Sequence, residues 1–305
     1  MNAPSTTVTA TPGIMLIRVG QAGCSLRWDA ARQCWRWPDP VGSQLYAWPA
    51  PPAMPSGSRM LESACVMASC SSGRLLVGQG KRLGMLTLPQ PGQPSRPLQA
   101  QVLITIDAAE PRTRISDGCA DRDGNFVFGT ANAAQDQRPI GSFYQYSQRH
   151  GLRRLALPAV AGATSIAFSP DGRRMYFADA ARGAILHCDY DAERAKVSGT
   201  KTFSELLAPG AGAAVVDSAG QLWSVQGGVL VQYDASGHAL RQIALAREAV
   251  ASVCFGGAGL DQLLMLGAQG GLYGLPPDLA KGQAAGLADT LFIDCGSASS
   301  SELRA

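Results

Sequence analysis

ATSIAFSPDGRRMYFADA (residues 163–180) reads as two short strands joined by a tight turn, Ser169-Pro170-Asp171-Gly172. Proline presets φ at such a turn. Serine and aspartate hydrogen-bond their own backbone, and glycine takes the positive φ that closes it. One hairpin does not define a fold, but this one recurs. DRDGNFVFGT (121–130) and DSAGQLWSVQ (217–226) carry turn glycines at Gly124 and Gly220, each 48 residues from Gly172. CSSGRLLVGQ (70–79) carries another at Gly73, 51 residues before Gly124. Weaker copies are DAARQCWRWPD (29–39) and GLDQLLMLGA (259–268). In each copy a polar turn precedes a run with aromatic or branched residues, the pattern of a strand.

A unit of ~40–50 residues holds about four strands, which is one blade of a β-propeller. Six copies therefore predict an all-β chain forming a single six-bladed propeller. Loops at one end of its central channel form the expected pocket. The predicted boundaries are a disordered N-terminal tail at 1–13, the propeller at 14–295 and a polar C-terminal tail at 296–305. Residues 38–59 and 89–101 are proline-rich and break the rhythm, which predicts long surface loops. DYDAERAKV (189–197) is expected to join two strands.

Composition narrows the function. With 46% hydrophobic and 16% charged residues, the 305-residue chain can bury a substantial core. A net charge of +3 is too small and too scattered to argue for nucleic acid or for an anionic membrane. No stretch approaches the roughly 18 apolar residues of a membrane span, and the N-terminus lacks the pattern of a signal peptide. The eight cysteines contain no C-x-x-C pair, and the three histidines have no metal-ligand spacing. Free thiols in a reducing cytoplasm are the expectation. Trp28, Trp35, Trp37 and Trp223 are expected to pack within blades. His150 and His238 are expected in solvent, and His187 on a strand. Asp123, Asp171 and Asp217 are expected to cap their own turns.

TRISDGCADRDGNFVFGT, GSFYQY, SIAFSPDGRRMYFAD, AAVVDSAGQLWSV and SVCFGGAGLDQLLML occur in that order. Together they resemble the family of senescence marker protein, gluconolactonase and luciferin-regenerating enzyme, over about residues 18–275. The resemblance implies a six-bladed propeller, in agreement with the repeat count. It also implies a divalent cation, often calcium, near the channel axis. The family's ligands are a glutamate in an E-x-P-x-W motif, an asparagine before the AFSPDG segment and an aspartate before the VDSAG segment. The cation polarises a lactone carbonyl and helps activate water, and the aspartate acts as base.

Residue by residue, the glutamate position holds Cys24, four before Trp28. The asparagine–glycine pair is Thr164-Ser165, and the aspartate position is Gly212. The substrate motif R-x-N-D reads Arg114-Ile115-Ser116-Asp117, and a further family glutamate falls near Ala134. With two carboxylates replaced, little charge remains to draw a hard cation from solution. The expectation is therefore no metal or other cofactor. The candidate catalytic positions are Cys24 and Gly212, with Arg114, Ser116, Asp117 and Thr164 as candidate substrate contacts. A reactive Cys24 would need a neighbouring base or cation, and the local sequence offers only Arg27. Two functions stay open. One is a divergent hydrolase of a small lactone or ester. The other is a non-catalytic propeller that binds a small polar ligand or a protein partner on the same face.

Overall fold

Each repeated turn joins the first two strands of one sheet, and six such sheets make up the fold. In the computed structural model the described residues are 7–9, 14–90, 96–134, 136–207, 210–244, 249–275 and 283–294. All regular elements among them are strands, so no helix there is long and apolar enough to cross a membrane. Blades 1 to 6 run over 27–59, 66–105, 113–154, 163–205, 211–244 and 250–274. Their inner strands, which line the channel, are Arg27–Asp29, Val66–Ser69, Thr113–Ala120, Ala163–Phe168, Ala211–Val216 and Val250–Gly256. Within a blade, consecutive strands pair antiparallel.

The ring closes through the N-terminal part of the chain. Ile14–Arg18 pairs antiparallel with Gly271–Gly274 and becomes the fourth strand of blade 6. Closure gives blade 6 its fourth strand from the N-terminal part of the chain and leaves only the short outer edge of each blade. Thr7–Thr9, which the sequence places in a tail, pairs in parallel with Ala239–Ala244 at the outer edge of blade 5. The predicted C-terminal tail, 296–305, lies outside the described residues.

The turn chemistry matches the sequence reading at most positions. Gly73, Gly124, Gly172 and Gly220 all have φ between +71° and +80°. Asp217 Oδ1 accepts from the amides of Ala219 and Gln221, and Asp171 Oδ1 accepts from the Arg173 amide. In the third blade the cap is Asp121, not Asp123. Asp121 Oδ1 takes the amides of Asp123 and Asn125, and its other oxygen takes the Tyr190 hydroxyl. The loop expected over 38–59 is largely sheet. Cys34–Asp39, Gln44–Trp48 and Ser56–Arg59 pair in register. Strand pairing wins there because it buries Leu45 on one face and Trp48 on the other, in two separate clusters, while the prolines gather in the connection at 49–55. Of the loop predicted at 89–101, residues 91–95 lie outside the described set, and a strand begins at Gln101. Residues 189–197 join two strands as expected.

The core lies between blades. Trp28, Trp35, Trp37 and Trp48 of blade 1 pack against Cys254, Leu264 and Leu266 of blade 6. Trp223 of blade 5 packs against Val253, Phe255 and Met265. Twisted sheets stacked face to face bury alternate residues in this way.

One element has no counterpart in the repeat. Residues 283–294 run as an irregular strap across one end of the channel. The Ser218 amide donates to Ala285 O and the Gly286 amide to Leu260 O. The far end bonds to Ser69, Ser71 and Gly124. The strap thus joins blades 5 and 6 to blades 2 and 3 and floors the channel.

Candidate active site at the channel mouth

Four inner strands carry a β-bulge near the end opposite the strap. The register shifts fall between Ile115 and Asp117, Thr164 and Ala167, Ala211 and Ala214, and Val250 and Ser252. A bulge leaves one residue outside the ladder and re-aims its side chain. Here the bulges line a mouth cavity of about 120 Å³. Cys24, Ser116, Asp117, Thr164 and Gly212, which the sequence reading singled out, all line it. Arg114 does not: it is exposed on the inner strand of blade 3 and makes no ion pair with Asp117. Arg27 and Cys65 line the cavity, and the sequence reading did not select either as a site residue.

Most polar groups at the mouth tie one blade to the next. Ser116 donates to Ala163 O at 2.8 Å, and Thr164 donates to Gly212 O at 2.9 Å. Ser165, buried at a φ of 59°, donates to the same Gly212 carbonyl at 2.6 Å. Ser25 accepts from the Met67 amide, and Ser252 accepts from the Leu26 amide. The Cys65 thiol donates to Ile115 O at 3.1 Å. These bonds join blade 1 to 2, 2 to 3, 3 to 4, 4 to 5 and 6 to 1.

Asp117 is the one carboxylate among the described residues that line the mouth cavity. Oδ1 accepts from the Gly118 amide at 2.9 Å, and Oδ2 accepts from the Ile166 amide of blade 4 at 3.0 Å. Each oxygen keeps a second lone pair. Burial pushes its pKa up, against the pull of those amides and of Arg27. The thiols are far from activation. Burial, then Cys65 and Asp39, holds Cys24 well above the ordinary thiol range. Burial likewise pushes Cys65 up to about 11. Since the thiolate is the nucleophile, Cys24→Ser should change turnover by less than about 3-fold. Iodoacetamide should label native Cys24 slowly at pH 7.5. Rapid labelling of Cys24 with loss of turnover would reverse this assignment.

The donors at the three family ligand positions do not suit a hard dication. They are a thiol, a hydroxyl that already donates to a carbonyl, and that carbonyl, which receives two hydroxyls. Such a cation takes six to eight oxygens, carboxylates prominent among them. Among the described residues no three His, Cys, Asp or Glu side chains gather as a metal-holding group.

The fold and site define a six-bladed propeller with a cavity at one channel mouth and a strap at the other. The model of the SMP-30/gluconolactonase/LRE-like region matches residues 22–269, and the chain belongs to that family. It is 34% identical over 192 residues to an L-arabinolactonase of Azospirillum brasilense, covering 61% of this chain and 57% of that protein. It is 35% identical over 162 residues to a pentonolactonase of Haloferax volcanii, covering 52% and 54%. The chain thus spans little more than half the length of these relatives. Among solved structures, a luciferin-regenerating enzyme superposes with a TM-score of 0.82 at 19% identity, covering 92% of this chain and 98% of the other. A Xanthomonas campestris gluconolactonase gives 0.71 at 20%, covering 86% and 88%. At such identities these two establish the fold alone.

Proposed function

We propose that this chain hydrolyses a small sugar lactone at the channel mouth, with a five-membered lactone as the preferred class and without a metal. The carrying observation is that, among the described residues, the mouth cavity holds one carboxylate, Asp117, with its burial and bonding set by two blades. The lactonase names of the two curated relatives support the substrate class. In this reading Asp117 is the general base. A carboxyl whose pKa is raised by burial is better matched to a proton transfer near neutral pH. Water oxygen bonds to the lactone carbonyl carbon as its proton passes to Asp117. The tetrahedral oxyanion then collapses and the ring C–O bond breaks. Asp117 returns the proton to the departing ring oxygen, and the product is a hydroxy acid. The reading places the protein in the cytoplasm, in keeping with its seven free cysteines among the described residues.

A second reading, a propeller that binds a polar ligand without turning it over, is favoured by one feature. The mouth hydroxyls already serve as ties between blades. Proton release from five- and six-membered sugar lactones by purified protein separates the two. Turnover on a five-membered lactone is the expected result. Binding of lactones with no turnover on any of them would transfer the case to the second reading.

A further inference from the structure

Arg27 stands one residue before Trp28 on the inner strand of blade 1, and its side chain enters the channel. It lines both the mouth cavity and a floor cavity of about 60 Å³ above the strap. Nη2 donates to Gly118 O of blade 3 at 2.8 Å, and Nε donates to Met67 O of blade 2 at 3.4 Å. Two fixed carbonyls on two blades hold the guanidinium plane. Nη1 has no hydrogen-bond partner among the described residues. Asp117 and, on the strap, Asp289 face it from the two cavities without forming an ion pair. Among the described residues no other basic side chain lines the mouth cavity. An enclosed guanidinium with a free edge recognises carboxylates through charge-assisted hydrogen bonds, and it disfavours a second cation beside it.

We propose that Arg27 supplies positive charge to the channel mouth from the chain itself, making the mouth a carboxylate site selective for small polyhydroxy acids in place of a divalent-cation site. This rests on the reading of the mouth as a sugar-lactone site, since such an acid is what lactone hydrolysis releases. The fork of Arg27 holds the carboxylate from below, and the acid's hydroxyls face the bulged strands around it.

The test is calorimetric titration of the whole protein with potassium L-arabinonate and potassium D-gluconate in EDTA, with D-sorbitol as the uncharged control. Both aldonates should bind, and sorbitol should bind at least 10-fold more weakly. Removing a charge-assisted hydrogen bond costs about 10- to 100-fold in affinity. Arg27→Met should show that loss. Arg27→Lys keeps the charge without the fork and should lose several-fold, and it serves if the methionine variant does not fold. Calcium should neither strengthen aldonate binding nor raise the melting temperature of the wild-type protein. The proposal is overturned by aldonate binding that requires calcium, by wild-type affinity in a folded Arg27→Met protein, or by no aldonate binding at all. Arg27-dependent binding without lactone turnover would sink the hydrolase reading alone. Turnover with Arg27-independent aldonate binding would sink this assignment alone.

Discussion

Asp294→Ala should lower the unfolding free energy by about 1–3 kcal/mol, the cost of leaving the Ser71 and Ser72 donors that the buried carboxylate satisfies without an acceptor, since the partly exposed Arg74 can turn to water. Asp294 anchors the far end of the strap. Its side chain, fully buried, accepts from Arg74 Nη2 at 2.8 Å, the Ser71 hydroxyl at 2.9 Å and the Ser72 amide at 3.0 Å. Next to it Phe292, also fully buried, packs against Tyr146 and the cluster shared by blades 2 and 3. Phe292→Ala should cost more, about 3–5 kcal/mol, through the cavity it leaves. Urea unfolding followed by tryptophan fluorescence measures both. The pH dependence has a definite sign. Burial raises the Asp294 carboxyl, but hydrogen bonds from Ser72, Ser71 and Arg74 outweigh it and hold the folded-state pKa below the ordinary aspartate value. Its stabilisation is therefore complete above the unfolded pKa of about 4 and is lost as pH falls through the lower folded value. The gap between wild type and Asp294→Ala should narrow below about pH 4. A gap of under 1 kcal/mol at pH 7 would mean that the strap is not fastened there.

Asp117→Asn should cut lactone turnover by about 10²- to 10⁴-fold, the range for loss of a general base. An amide oxygen can accept one of the two backbone amides that Asp117 now serves, but not both. A stability loss of roughly 1–3 kcal/mol should accompany the change. Aldonate binding separates the effects, because it needs no base. An affinity equal to or tighter than wild type, since the change removes a like charge beside the bound carboxylate, with turnover abolished, assigns the proton transfer to Asp117. The pH profile is a second readout. Burial raises the carboxyl, so the acidic limb of kcat/KM should lie above the ordinary aspartate value of about 4, with activity rising as Asp117 ionises. Turnover in Asp117→Asn within 5-fold of wild type would remove it from the chemistry.

The propeller was legible because its turns demand residues that few other structures need. A glycine with φ near +75° after an aspartate or serine, repeated at even spacing, leaves little choice of architecture. The misreadings follow from local signals overruled by packing. Prolines near Trp48 suggested a loop, yet the burial of Leu45 and Trp48 makes the same stretch a strand pair. Asp121 and Asp123 flank the same turn. Only the structure shows that Asp121 takes the amides and reaches Tyr190 across the blade interface. At the site, the family pattern led to five of the six chosen positions, which do share one cavity. It led away from Arg27, which occupies an unspecified position of the E-x-P-x-W motif. No single residue predicts that a side chain there crosses from blade 1 to the Gly118 carbonyl of blade 3. The strap was invisible because 283–294 carries no repeat and bonds mainly through its backbone.

The most direct test of a metal-free lactone site is the rate of proton release from a five-membered sugar lactone before and after exhaustive EDTA treatment, then with calcium, zinc or manganese restored. This account predicts turnover that EDTA leaves unchanged and that no added cation raises. Turnover that vanishes in EDTA and returns with one of those cations would contradict it, and would show that a cation is held despite the thiol of Cys24, the hydroxyl of Thr164 and the carbonyl of Gly212 at the family's ligand positions.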